Sequence, residues 1–119
     1  MQPFTESFYN AWKGLCVAWR EERNFRIEIA VGALAVILGR IVSLSRGEWA
    51  VLLLTIAIVL SVEVLNTALE EFCDMVKNEL DPHVAKIKDL AAAAVLIVVI
   101  GASVVGLYIF VPHLSIYVS

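Results

Sequence analysis

The 119-residue sequence has little charge and almost no sulfur. Asp, Glu, Lys and Arg together make up 18% of it, against about 25% in ordinary soluble domains. With 3 prolines and 6 glycines, it has no low-complexity linker, and no internal repeat divides it, so the chain reads as a single domain over 1–119. Cys16 and Cys73 are the two cysteines; neither has metal-ligand spacing, and both read as small apolar residues. Basic excess is missing as well. The net charge is −3, and no Lys/Arg-rich block or basic stripe with interleaved aromatics argues for nucleic acid. Neither the phosphate loop G-x-x-x-x-G-K-[ST] nor the protein-kinase motifs occur. The first residues are aromatic and amphipathic, without a basic region, short apolar core and small-residue cleavage site in that order, so no secretory signal is expected there.

Apolar residues are what the chain has in excess. They form 61% of it, where about 45–50% is usual, and this indicates an integral membrane protein. A chain of this length cannot hold several spans and a separate soluble catalytic domain. Any chemistry must therefore take place at the membrane surface or between spans.

Residues 4–24 read as an amphipathic helix lying in the membrane interface, or alternatively packing on a partner. Phe8, Trp12, Leu15 and Trp19 share one face, and Glu6, Asn10, Lys13 and Arg20 the other. A Ser or Thr near position 5 is expected to cap it, and Gly14 is expected to permit close backbone approach. Residues 20–28, R-E-E-R-N-F-R-I-E, are dense in charge, and Glu21 or Glu22 can pair locally with Arg23 or Arg26. A first span is expected over 27–44, with Gly32 and Gly39 for close contacts and Arg40 snorkelling outward. A tight polar connection, 43–48, leads to a second span over 49–72 that begins at the interfacial Trp49. Residues 77–89 form the longest polar connection, with Pro82 as a helix breaker. A third span follows over 90–111, and the tail from Pro112 reads as short and passive, with no partner in view for His113. The expected fold is thus an all-α membrane protein, a surface helix plus three transmembrane helices.

The stretch 62–76, V-E-V-L-N-T-A-L-E-E-F-C-D-M-V, carries the informative polar residues. At about 100° per residue, Glu63, Asn66, Glu70 and Asp74 fall within roughly a 100° sector of one helix. An unpaired carboxylate in hydrocarbon costs about 2.5–3.5 kcal/mol even on the lenient insertion scale. A stripe of them needs a cation, a proton or a watery cleft. The plain alternative is that the helix has left the membrane by Glu71 and Asp74. Glu63 and Asn66, however, lie among Val64, Leu65, Ala68 and Leu69.

Basic residues set the expected orientation. Lys13, Arg20, Arg23 and Arg26 precede the first span, and Lys77, Lys86 and Lys88 lie between the second and third, whereas Arg40 and Arg46 fall on the other side. The N-terminus and second loop are then cytoplasmic, and the acidic stripe emerges where ATP and Mg²⁺ occur. Mg²⁺ takes one or two carboxylates plus phosphate oxygens and water. Glu63, the deepest carboxylate, can accept a proton from a lipid hydroxyl. A transporter using the stripe as its pathway, and a scaffold whose charges only set topology, are the competing readings.

The string E-V-L-N-T-A-L-E-E-F-C-D, followed after the loop by K-D-L-A-A-A-A-V-L-I, resembles the prokaryotic diacylglycerol kinase family, which includes undecaprenol kinases. W-K-G-L-C-V-A-W-R-E-E-R-N-F-R-I-E resembles that family's surface helix and the start of its first span. The resemblance covers roughly residues 8–111 and rests on E-x-x-N-[ST]-A-x-E-x-x-x-D with a downstream K-D. It implies a bacterial cell-membrane homotrimer with active sites shared between subunits, which phosphorylates a membrane lipid from ATP with Mg²⁺. By position it makes Glu63 the proton acceptor, and makes Glu22 and Glu70 the metal ligands at the ATP phosphates. Asn66 and Asp74 would support that site. Lys88, Asp89, Asn10 and the loop Glu79, Leu80 and Asp81 would contact the nucleotide. The family's loop often reads E-Y-H where this chain has E-L-D, with His83 two residues on, a difference at an expected nucleotide contact. His83 itself reads as a solvated loop residue. R-N-F-R-I-E and A-K-I-K-D-L-A-A-A-A-V look more like the undecaprenol-kinase branch, while W-K-G-L-x-x-A-W is shared with diacylglycerol kinases.

Overall fold

Four α-helices make up the computed structural model, which describes residues 3–76 and 81–118. They are α1 (Phe4–Glu21), α2 (Arg23–Val42), α3 (Arg46–Val76) and α4 (Pro82–Val118). The closest packing is between α3 and α4; α2 lies mainly against α3, and α1 touches α2 and α3.

α1 starts without the expected Ser or Thr cap. The carbonyl of Pro3 accepts instead from the backbone N–H groups of Glu6 and Ser7, at 3.0 and 3.2 Å. Its large apolar residues Phe8, Trp12 and Trp19 are exposed, while small Ala18 is buried, so the helix meets its neighbours through its small side chains. The helix stops at Glu21, three residues short of the predicted end, because Glu22 takes an extended conformation (φ −111°, ψ 107°). Arg26 stabilises the break. Rather than pairing with a nearby carboxylate, its Nη1 donates to the carbonyls of Trp19 and Arg20, at 2.7 and 3.1 Å. Those last-turn carbonyls otherwise lack partners, and a cation there suits the helix dipole.

The opposite end of the bundle is fastened tightly. Ser43 adopts the left-handed conformation (φ 59°), and the Leu44 N–H donates to the Gly39 carbonyl at 3.2 Å. Gly39 lets the connection pack closely: a Cβ on it would stand 2.8 Å from Leu44 Cδ1 and 3.1 Å from Trp49 Cη2, so the Leu44 tip would have to shift. Ser45 and Glu48 then form a reciprocal capping box, with Ser45 N–H to Glu48 Oε1 at 2.9 Å and Glu48 N–H to Ser45 Oγ at 3.2 Å. Val42, Leu44, Leu52, Ile109 and Phe110 make the buried apolar cluster at this end. α4 runs on through Pro112 to Val118, beyond the predicted limit at 111. Its His113 does have a partner: Nε2 lies 2.9 and 3.1 Å from the two Glu48 carboxylate oxygens. That contact ties the last turns of α4 to the start of α3.

α3 and α4, of 31 and 37 residues, are each long and apolar enough to cross a membrane. At 1.5 Å per residue they extend about 46 and 55 Å, well beyond a hydrocarbon core of about 30 Å. α2, with Arg23, Arg26, Glu28 and Arg40, does not meet the same measure. Leu53, Leu54, Ile58, Leu96, Ile97 and Leu107 are all exposed, an outer surface suited to lipid or to apolar partners and not to water. Pro82 opens α4 instead of breaking it, because the first turn of a helix needs no N–H from that residue. Asp81 caps the turn, its Oδ1 accepting from the His83 N–H at 2.8 Å.

Removing the α3 cap should register in stability. Ser45→Ala is expected to cost about 1 kcal/mol in denaturant titration of the detergent-solubilised protein; a change of a few tenths or less would show that the box contributes little.

Candidate functional site

The acidic residues of α1 and α3 meet because α1 ends at Glu22 and turns. A cavity of about 420 Å³ opens between the two helices, bordered on α1 by Gly14, Val17 and Ala18. Its carboxylates are Glu21, Glu22, Glu70, Glu71 and Asp74, and no basic side chain lines it. A Cβ on Gly14 would meet nothing within 4 Å, so this glycine leaves the cavity wall open and does not serve a backbone contact as expected from the sequence.

Within this group the side chains are oriented. Asn66 Nδ2 donates to Glu70 Oε1 at 3.1 Å, one turn along α3. Lys88 of α4 reaches Asp74 at 3.7 Å, so a cation sits at the rim. Glu22 is pushed above the ordinary carboxylate range, first by partial burial and then by the charges of Glu70 and Glu21, with Arg26 offsetting part of this. The site as it stands is short of positive charge.

Glu63 lies 7 residues before Glu70 on α3, about 10 Å along the axis. It is the most deeply buried of the large side chains, at 2% exposure, and the charges of Glu22 and Glu70 reach it. Its own helix supports the turn, with Thr67 Oγ1 donating to the Glu63 carbonyl at 3.0 Å. The Glu63 carboxyl faces that of Glu28 on α2, within hydrogen-bonding reach. Glu28 also borders a second cavity, about 630 Å³ and almost wholly apolar, between α2, α3 and α4.

Of the residues expected from the sequence, Glu22, Glu70 and Asp74 share the acidic cavity, Asn66 joins through Glu70, and Lys88 through Asp74. Asn10 is on α1 one turn before Gly14, at the same helical face by spacing but outside the cavity wall. Asp81 caps α4, and Asp89 is exposed at the start of the third turn of that helix. Glu79 and Leu80 lie outside the described residues. Sequence reasoning did not single out Glu21 and Glu71 in the cavity wall, or Glu28 beside Glu63. A signal for Glu28 existed: it is a carboxylate between Ile27 and Ile29, at the start of an apolar run, as Glu63 is near the end of one.

Among the described residues no three His, Cys, Asp or Glu side chains converge to hold an ion unaided. The donor set nevertheless fits Mg²⁺. This hard cation takes a carboxylate or two and fills its remaining positions with phosphate oxygens and water, and carboxylates without a basic partner in the wall suit a metal that arrives with its anion.

A sequence profile described as prokaryotic diacylglycerol kinase matches residues 9–110. The chain is 37% identical to an undecaprenol kinase of Bacillus subtilis (strain 168) over 111 residues, 93% of this chain and 90% of that one. It is 32% identical to a diacylglycerol kinase of Escherichia coli (strain K12) over 103 residues, 87% of this chain and 84% of that one. It is 39% identical to a diacylglycerol kinase of Synechocystis over 109 residues, 91% of this chain and 62% of that longer one.

The crowding at Glu22 has a pH signature in the unliganded protein. A carboxyl whose folded pKa is raised contributes stability that is complete below its unfolded value and is lost as pH rises through the folded one. Glu22→Gln is therefore expected to gain thermal midpoint relative to the wild type between pH 4 and pH 7 in metal-free buffer. A wild type that gains on the variant over that range would contradict the crowding.

Proposed function

The chain belongs to the prokaryotic diacylglycerol kinase family, and we propose on that footing that it transfers the γ-phosphate of ATP to a membrane-lipid hydroxyl at the cytoplasmic face of a bacterial membrane. The observation that carries this reading is the pairing of a carboxylate-lined cavity with one fully buried carboxyl, Glu63, further along the same helix. Phosphoryl transfer needs positioning and neutralisation of charge more than covalent chemistry from the protein. Glu63 takes the proton of the lipid hydroxyl. The lipid oxygen then bonds to the γ-phosphorus as the bond to the β-phosphate oxygen breaks, leaving ADP and the lipid phosphate.

Glu22 and Glu70 are the residues that would hold Mg²⁺ with the ATP phosphates, and the ion would supply neutralisation of the charge on them. Asn66 fixes the Glu70 carboxylate through its hydrogen bond. Asp74 extends the acidic wall and holds Lys88 near the rim, where an ammonium can meet a phosphate. Asp89, Asn10 and the segment Glu79, Leu80 and Asp81 complete the proposed nucleotide contacts.

The assembly we propose is a homotrimer with shared sites, each subunit contributing three spans, α2, α3 and α4, and the surface helix α1. α2 crosses as the third span by burying its charged ends at the two interfaces, Arg26 at one and Arg40 at the other. Basic residues before α2 and around the start of α4 favour a cytoplasmic N-terminus and second loop. For the lipid we propose undecaprenol, on the segments R-N-F-R-I-E and A-K-I-K-D-L-A-A-A-A-V, with diacylglycerol as the alternative acceptor.

Radiolabel transfer from ATP to lipid in mixed micelles tests the reading, with undecaprenol and diacylglycerol assayed side by side. Glu63→Gln is expected to lower turnover by at least about 10²-fold while the oligomer stays folded; substantial residual turnover rules out its role as base. Glu22→Ala and Glu70→Ala are each expected to raise the Mg²⁺ requirement or remove activity. An unchanged metal dependence in both would remove them as ligands.

A further inference from the structure

Glu63 is enclosed with a second carboxyl. Glu28 projects from the second turn of α2 and is part-buried, bordering the apolar cavity beside Val31, Ile56 and Leu60. Glu28 Oε2 and Glu63 Oε2 are both buried, and neither meets a hydrogen-bond donor among the described residues. The partner each carboxyl has is the other carboxyl. Ionised carboxylates are acceptors only, so this contact becomes a hydrogen bond when one of the two carries a proton. A buried polar group left without a partner would cost on the order of 1–3 kcal/mol. The two hydroxyls in that cavity's wall, Thr55 and Ser103, donate instead to the Val51 and Val99 carbonyls, at 2.7 and 2.8 Å.

A general base must be the partner without the proton. We infer that Glu28 is the positioning residue for Glu63: its carboxylic acid donates to the Glu63 carboxylate and holds it toward the lipid hydroxyl. The inference rests on the lipid-kinase reading with Glu63 as base, and it gives Glu28 work that neither the metal nor the nucleotide requires. Glu28 touches none of the reacting atoms. It keeps a carboxylate that lies among apolar side chains in one rotamer, and it leaves the second Glu63 oxygen free for the substrate proton. α2 thereby takes part in the chemistry through one side chain, although the acidic cavity is built from α1 and α3.

The role predicts opposite results for two variants. Glu28→Gln keeps the shape and supplies an amide donor in place of the acid, so kcat is expected to stay within about threefold of wild type. Glu28→Leu fills the space but cannot donate, and kcat is expected to fall about 10²-fold, the cost of losing a group that orients a reactive one, with KM for Mg-ATP unchanged. A Leu variant as fast as wild type would overturn the inference, and so would a Gln variant that loses as much as the Leu variant. A Gln variant that fails to fold overturns it too, because an isosteric donor should satisfy the contact. Infrared spectroscopy of wild type in detergent at neutral pH gives a reading independent of turnover. The carbonyl band of a protonated carboxylic acid should be present there and shifted in frequency in both Glu28→Gln and Glu63→Gln, because the remaining carboxyl loses its carboxylate partner; its absence from wild type, or a band unmoved by both substitutions, contradicts the shared proton. Failure of the kinase reading appears separately, as wild type without lipid-dependent phosphate transfer.

Discussion

Carboxyl groups beside hydrocarbon must find a proton, a cation or a donor, and this constraint organises the molecule. Glu63 at 2% exposure is enclosed more completely than the large apolar side chains around it. In a chain whose Leu, Ile and Val residues largely face outward, the interior position is given to a charged residue type. A buried group of that kind costs several kcal/mol unless compensated, so it persists where function depends on it. One turn of the chain adds to the demand for a cation. Glu22 breaks α1 from α2, Arg26 closes the end of α1, and the acids of both elements then border one cavity.

The two ends of the bundle divide the tasks. At the far end, the Ser45–Glu48 box, the Glu48–His113 contact and the close approach at Gly39 lock α2, α3 and α4 together. At the near end the acidic cavity opens between α1 and α3, while the apolar cavity runs from Glu28 along α2, α3 and α4 to Leu52 and Phe110 of the buried cluster. A phosphate-bearing ligand and a lipid tail need such different surroundings within a short distance. That arrangement gives a physical meaning to the kinship with undecaprenol and diacylglycerol kinases.

Much of this was legible in the residues. Hydropathy alone exposed α3 and α4 as long apolar helices, and the spacing of Glu63, Asn66, Glu70 and Asp74 put an acidic ridge on α3. Periodicity was weakest where backbone geometry decides. It ran α1 through Glu22 to 24, because nothing in R-E-E-R-N marks an extended residue, and the carbonyl contacts of Arg26 depend on the tertiary turn. It read Pro82 as a breaker, although proline suits a first turn as well. His113 looked solitary because Glu48 is distant in sequence, and Glu28 looked like the end of a charged linker because its partner lies on another helix. Pairwise contacts between helices leave no periodic trace.

The acidic cavity has meaning as a nucleotide site only if a divalent cation and a polyphosphate enter it together. Equilibrium binding of ATP to the purified wild-type protein, with and without Mg²⁺, tests this most directly. ATP is expected to bind at millimolar concentration or below when Mg²⁺ is present and to be repelled by the carboxylates when it is removed. Binding of equal strength without any divalent ion, or none in its presence with lipid supplied, would contradict the central claim.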